Sequence, residues 1–307
     1  PLAFTIPDIS GNGGERFLNF TFLAGHSHPF LPPGYVICQY QFPVCGNKVR
    51  KEDIPEGMVV LVKRETEFQM DAGKASVCID RKKGVVKVYK DHVLQFEGGE
   101  ENVLRGRSGL CLEEKWDGDV QKDWEKIMEG KLKMTVLSVE AFQTLEKNCA
   151  GVIVNSSLSN AEGGIHFSTQ YRLNAAGQLR VDIVADVDSC FRSLARIGVS
   201  YCFPEGFEDI SWYGRGPYEN YSDRHACALV GLYQSTVEKM HFPFVPPSHN
   251  GTHIDTRWVS ITHPELGTVT FEGANFSFDV HHYRVKDLWE AKHEYELDRR
   301  RETYLYI

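Results

Sequence analysis

The densest run of reactive side chains in the sequence is WYGRGPYENYSDR at residues 212–224, which gathers Arg215, Glu219, Asn220, Asp223 and Arg224. Carboxylates accept, guanidinium groups donate in a planar fork, and an amide does both, so this set can hold a hydroxylated ligand or lock onto itself. Gly214 and Gly216 permit positive φ or close backbone approach, and Pro217 fixes one turn residue. Residue chemistry alone leaves two readings, a self-bonded network that braces a loop and a ligand-binding face, with the network preferred. Other constellations are weaker. Glu100-Glu101 and Glu113-Glu114 are placed in polar loops and read as solvated acidic patches, because nothing there supplies the desolvation a raised carboxyl pKa needs. His249 and His253 have metal-like spacing, but Pro246, Pro247 and Gly251 oppose a helix. Asp279, His281 and His282 could face a ligand, although strand alternation would send the two histidines to opposite faces. No metal site is assigned, and no nucleophile elbow, Walker loop or dinucleotide fingerprint is present.

The elements that must position these groups are strands. Ile165, Phe167, Thr169 and Tyr171 alternate with mostly polar neighbours, and after the turn at 174–177 so do Leu179, Val181, Ile183, Ala185 and Val187. Period-two alternation gives each strand one buried and one wet face. Residues 77–79 and 85–89 flank Lys83-Gly84 as a hairpin, and residues 259–261 and 269–271 form another through Pro264 and Gly267. A strand ending at Trp212-Tyr213 would deliver the polar string as the loop that follows. Two helices are expected, one at 120–128 with Val120, Trp124, Ile127 and Met128 on one face and Asp117 or Asp119 as cap. The other runs from a cap at Asp287 through Leu288, Ala291 and Tyr295. The fold class is therefore all-β in the main, a large two-sheet antiparallel sandwich. Ahead of it, residues 1–44 alternate apolar runs with the turns Gly11-Asn12-Gly13-Gly14 and Pro32-Pro33-Gly34, and residues 35–42 read as a strand. A complete immunoglobulin-type sandwich takes about 100 residues, so residues 1–44 are assigned to the end of one, 45–63 to a linker and 64–307 to the main domain.

A net charge of -8 argues against an electrostatic nucleic-acid binder. Arg299-Arg300-Arg301 is flanked by Asp298 and Glu302 and reads as a solvated face. No apolar stretch approaches the ~18 residues of a membrane span. The chain opens at Pro1 without a methionine or leader, and a fragment, a processed form or a partial gene product is expected. Its 8 cysteines form no C-x-x-C pair and are expected as buried free thiols. Sequons at Asn19, Asn155, Asn220, Asn250 and Asn275 keep a secreted origin open, with a cytoplasmic one preferred. Core packing is the expected role of Trp212, Tyr213, Tyr218, Tyr221, Tyr233, Trp258 and Trp289, ahead of stacking on a sugar.

The string G-R-G-P-x-E-N-Y-x-D-R at 214–224 resembles the signature of the last domain of family 2 β-galactosidases, and Ala226, Ala228, Val230-Gly231 and Tyr233 continue the match. Residues 244–251, FVPPSHNG, resemble that family's Y-x-x-P-x-E-N-G segment, and Asp255, Arg257 and Trp258 follow its T-D-x-R-W continuation. Phe276-Ser277, Tyr283, Leu288, Ala291, His293, Glu296 and Leu297 track its later pattern, while residues 4–9 and the strand ending at Gln41-Phe42 resemble the preceding sandwich domain. Three departures stand out. Residues 104–109, LRGRSG, replace the family's R-A-P-x-D-N-D, so an altered active-site-facing loop is expected there. His249 stands where the family has glutamate, and the sequence stops at Ile307, short of the G-G-D-D-S-W segment whose tryptophan lines the galactose subsite in relatives.

The resemblance implies the carboxy-terminal part of a β-galactosidase: the end of an immunoglobulin-like domain, then a galactose-mutarotase-like super-sandwich. It implies hydrolysis of terminal β-D-galactose by the whole enzyme, with two glutamates on a β/α barrel, a fold of about 250 residues that nothing here resembles. This chain would be non-catalytic, supporting the barrel and walling the sugar site. Its expected partners are a β-galactoside or galactose, the barrel-containing part and, as an open question, further copies of itself, with no nucleic acid and no membrane. No cofactor is assigned to the chain, since the magnesium and sodium typical of the family go with the barrel. Candidate substrate-binding residues are Arg215, Glu219, Asn220, Asp223, Arg224, Asn250 and Arg257. Two alternatives stay open, a free-standing sugar-binding or mutarotase-like protein and an inactive truncated product.

Overall fold

The computed structural model describes residues 14–45, 55–106 and 132–307, together with Thr5, Trp124 and Ile127 singly. Strands are numbered in chain order. Along the larger sheet their spatial sequence is β14 (Leu229–Thr236), β13 (Asp209–Gly216), β15 (His253–His263), β16 (Gly267–His281), β17 (Thr303–Tyr306) and β12 (Gly198–Phe203). It continues through β7 (Val93–Asn102), β6 (Val86–Lys90), β5 (Ala75–Asp80), β4 (Glu67–Ala72) and β3 (Val60–Lys63). A four-stranded sheet runs β11 (Leu179–Val187), β10 (Gly164–Asn174), β9 (Cys149–Ser159) and β8 (Lys133–Gln143). A separate hairpin pairs β1 (Arg16–Leu23) with β2 (Val36–Cys45). Every pairing among the described strands is antiparallel. The protein is an all-β, two-sheet sandwich, as its alternation requires.

The inward sets of the two sheets meet in one core. Ala150, Val152, Val154, Tyr171 and Leu173 from the small sheet pack with Met70, Val77, Ile79, Phe96 and Phe203 from the large one. The Phe96 ring centre lies 5.4 Å from that of Tyr201 and 5.5 Å from that of Phe271, an aromatic cluster between strands of the large sheet. On β10, Ile165, Phe167, Thr169 and Tyr171 are all buried, as the pattern dictates. On the edge strand β11 the pattern fails in part, because Ile183 is 39% exposed.

Three boundaries differ from the sequence reading. Residues 60–63, read as linker, form edge strand β3, and Val59 is fully buried; Gly, Pro and charge just before Val59 mask this short apolar run. The last helix, α2 (Val285–Glu290), begins before Asp287, whose carboxylate sits at the third helical position and accepts the Arg284 N–H (3.0 Å). Ala291 already lies past its end, and Tyr295, on a separate short turn, is 82% exposed. A four-residue helix, α1 (Val237–Met240), was not anticipated; Thr236 caps it with its hydroxyl. The helix expected at 120–128 lies outside the described residues except for Trp124, whose indole donates to Ser193 Oγ (3.2 Å), and Ile127, which is buried. Residues 4, 6–13, 107–109, 111, 113–114, 117 and 119 lie outside them too.

None of the described cysteines is in a disulfide, and none is buried. All seven described are exposed or half-buried, Cys45, Cys190 and Cys227 being exposed, because they occupy outward positions and turns. Two sequon asparagines, Asn220 and Asn250, are fully buried. The triple arginine is a set of solvated ion pairs, Arg299 with Glu238, Arg300 with Asp287 and Arg301 with Glu205. Trp212 is core, whereas Tyr218 is 71% exposed.

Candidate functional site

The polar string is shaped by close backbone approach. β13 runs on through Gly216 rather than ending at Tyr213. A Cβ on Gly214 would meet Thr256 Oγ1 at 2.7 Å, and one on Gly216 would meet the Tyr233 ring at 2.6 Å. Neither glycine has positive φ, so contact and not turn geometry demands them. Past the strand the chain bends, and its polar atoms turn largely inward. Arg215 pairs with Asp255 (2.5 Å) and donates to Ala228 O (2.8 Å). Asp255 reaches it from an irregularity in β15, with φ of 52°, a conformation Asp tolerates better than most residues. Asn220 is fully buried; it donates to Tyr218 O (2.9 Å) and accepts from Ile254 N (2.9 Å).

The second matched segment closes against the first. The Asn220 N–H donates to Thr252 O (2.7 Å), and Gly251 N donates to Glu219 Oε2 (2.8 Å). Glu219 also takes Arg224 on its other oxygen (2.5 Å) and the Tyr221 hydroxyl (3.1 Å). Asn250 is fully buried, accepting from Phe242 N (3.0 Å) and donating to Ser248 O (2.9 Å). Arg257 points elsewhere: Glu15, just before β1, accepts from its Nε (2.8 Å), and its guanidinium lies 5.6 Å from the Tyr213 ring centre. It fastens the hairpin to the large sheet. Arg257→Met should therefore leave the 11%-exposed Glu15 carboxylate with the Tyr213 hydroxyl (2.9 Å) but no cation and raise amide hydrogen exchange in β1 and β2, leaving that of the 246–252 segment unchanged. Unchanged exchange in the hairpin would rule out this fastening.

Beside these zipped segments lies a cleft of ≈ 1230 Å³. Of the seven residues nominated by sequence, Glu219, Asp223 and Arg224 line it, while Arg215, Asn220, Asn250 and Arg257 do not. Sequence reading missed Arg196 and Asp279 as a pair, which line the cleft and meet at 2.6 Å with side chains 12% and 1% exposed. Burial opposes ionisation of Asp279, yet the Arg196 guanidinium and the His249 and His281 rings together outweigh it and hold the carboxyl below its usual range. Asp279 had been noted beside two histidines, but nothing in the sequence links it to an arginine 83 residues away. His249 also lines the cleft; its Nε2 meets Thr252 Oγ1 at 2.8 Å and burial lowers its pKa to about 3. His281, the last residue of β16, meets Asn250 O at 3.0 Å, while His282, just past the strand, meets Glu208 (3.0 Å).

The other constellations are structural. His253 packs on Trp212 (4.6 Å between ring centres) and does not join His249 at a metal. Among the described residues no three His, Cys, Asp or Glu side chains are grouped to hold a metal ion. Glu100 and Glu101 lie on β7 and not in a loop, and Glu101 accepts the Ser156 hydroxyl (2.6 Å).

The family profile described as "Beta galactosidase small chain" matches residues 71–307. The chain belongs to the β-galactosidase small-chain family. It is similar to the β-galactosidase of Psychromonas ingrahamii, 23% identical over 95% of this chain and 29% of that protein. It is 37% identical to that of Vibrio cholerae over 42% of this chain and 12% of that protein. For Staphylococcus xylosus the figures are 24% identity over 85% of the chain and 26% of the relative. The chain thus spans less than a third of each of these β-galactosidases. The resemblance carried by residues 212–224 to the carboxy-terminal portion of β-galactosidases holds.

Proposed function

We propose that the chain is a non-catalytic portion of a β-galactosidase that hydrolyses terminal non-reducing β-D-galactose, and that it supports the catalytic barrel and walls the sugar site. In this reading β1 and β2 close an immunoglobulin-like sandwich over residues 1–44, and the two-sheet sandwich is the small-chain domain. The observation that carries it is the zipping of residues 216–224 onto 246–252: the most family-like polar atoms are spent inside the protein, which suits a rigid wall better than a reaction centre. Retaining hydrolysis needs two carboxyl groups about 5–5.5 Å apart as nucleophile and acid/base, a task that falls to the barrel. The magnesium and sodium typical of the family are assigned to the barrel as well. Asp279 and His281 do make a carboxylate–imidazole pair (3.6 Å), but both are 1% exposed and Asp279 is bound to Arg196, so no observation favours the mutarotase reading.

Complementation tests the proposal. Mixed with a separately produced barrel-containing portion of a relative, the chain is expected to restore release of nitrophenol from 4-nitrophenyl β-D-galactopyranoside. Lack of any restored release, with both parts shown folded, would count against the supporting role.

A further inference from the structure

A second, smaller cavity opens between the two sheets where β7, β8, β9 and β10 meet, and it shares no lining residue with the large cleft. Its volume is ≈ 240 Å³, against about 150 Å³ for an engineered cavity that takes up benzene. Close backbone approach shapes its rim. A Cβ on Gly99 would meet the Tyr171 hydroxyl at 2.3 Å, and one on Gly84 would meet Val154 Cγ1 at 2.7 Å. The polar end of the cavity accepts more than it donates. Tyr171 is 1% exposed, and burial pushes its pKa well above the usual phenol value, so it stays neutral. Its hydroxyl reaches Gly99 O only at 3.5 Å, the outer limit of a hydrogen bond. The buried Ser156 hydroxyl donates to Glu101 Oε1 (2.6 Å), which leaves Glu101 Oε2 with no partner among the described residues. Lys83 also lines the cavity, but its charge is shared with Asp80, which accepts its backbone N–H (2.7 Å).

The remaining walls are apolar, with Val154 buried, Val136 and Leu158 half-buried, and Met134 exposed. A neutral hydrocarbon would cover these walls and strand the acceptors. A bare inorganic cation would meet the acceptors and leave the walls wet, and an anion would face Glu101. We infer that the cavity binds a small primary ammonium ion with a compact apolar body. Its N–H groups lie at Glu101 Oε2, the Tyr171 hydroxyl and Gly99 O, and its body lies against Val136, Val154 and Met134. An ammonium brings three donors and no acceptor, which suits this set, and the charge-assisted bond to Glu101 is the strong one. The site is built by this chain's own two sheets and goes beyond a supporting role.

Isothermal titration of the chain at pH 7 and low salt decides it. Benzylammonium should bind saturably with a Kd of about 1 mM or tighter, benzyl alcohol about tenfold more weakly, and benzoate not measurably. Glu101→Gln keeps an acceptor for Ser156, so it should weaken benzylammonium about tenfold without moving the melting temperature or the affinity for benzyl alcohol. Val136→Phe fills the cavity and should abolish binding of both compounds. Asp223→Asn, in the large cleft, should change neither. Absence of saturable heat, benzyl alcohol binding as tightly as benzylammonium, indifference to Glu101→Gln, or weakening by Asp223→Asn would overturn the inference. The titration needs no barrel, so failed complementation leaves it standing, and a failed titration leaves the supporting role standing.

Discussion

Arg196→Met should lower the free energy of unfolding at neutral pH by about 3–5 kcal/mol, the cost of leaving one member of a buried ion pair unpaired. Asp279 sits in the middle of the molecule: β16 pairs with β15 along one stretch and with β17 along another, and Asp279 lies opposite Tyr306 in the latter. The Arg196 guanidinium reaches it with two nitrogens, at 2.6 and 3.3 Å, and covers the Tyr306 ring at 5.2 Å. Methionine keeps much of the aliphatic stem and removes the charge, so the expected loss reports the stranded carboxylate more than lost packing. The sign of the pH dependence follows. Without Arg196, burial raises the carboxyl pKa, so the deficit relative to the parent shrinks as pH falls and Asp279 takes up a proton. The double variant Arg196→Met/Asp279→Leu should regain much of the stability, because an apolar pair has nothing to desolvate. Urea denaturation of the three variants at pH 7 measures this. A loss under 1 kcal/mol for the single variant would mean that water already reaches Asp279.

The strands were legible in the sequence for a local reason and the site was obscure for a non-local one. Ile165 to Tyr171 announce which face of β10 is buried, since alternation needs only neighbours in the chain. It cannot say what waits on each face. Asn220 and Asp223 in the first matched segment and Asn250 in the second are equally polar by sequence; two are girders and one is free, and the difference is made by groups arriving from elsewhere in the chain. Ile254 comes to Asn220 from 34 residues away and Glu15 to Arg257 from 242. Gly214 and Gly216 fit either positive φ or close approach by sequence, and crowding by Thr256 and Tyr233 decides for close approach. Family likeness supplied the importance of the string, whereas contact geometry supplied its role. Arg196 lies in an irregular stretch with no periodicity, and only its contact with Asp279 reveals it.

Acid should unfold the protein steeply between about pH 6.5 and 4, through three imidazoles that the fold keeps neutral. Burial lowers the pKa of His249 to about 3, and those of His253 and His281 to about 4, from 6.5. In each case the geometry agrees. His281 meets Asn250 O with one nitrogen and has no partner for the other, so a second ring proton would be stranded. His249 likewise meets Thr252 with one nitrogen and nothing with Nδ1. His253 meets Arg215 O and is wedged between Trp212 and Phe278. Because the folded pKa lies below the unfolded one, the unfolded chain binds more protons in this window, and stability falls as pH falls. The contribution is whole above pH 6.5, is lost progressively below it, and stops changing once the folded state also takes the protons. With all three engaged near pH 5 the slope approaches three protons, about 4 kcal/mol per pH unit, enough to exhaust a typical domain's stability of about 5–15 kcal/mol within a few units. His281→Gln keeps a donor for Asn250 O and should flatten the slope by about one proton. Urea midpoints measured from pH 7 to 4.5 provide the test, and a slope below one proton throughout would show that the imidazoles are hydrated in the native state.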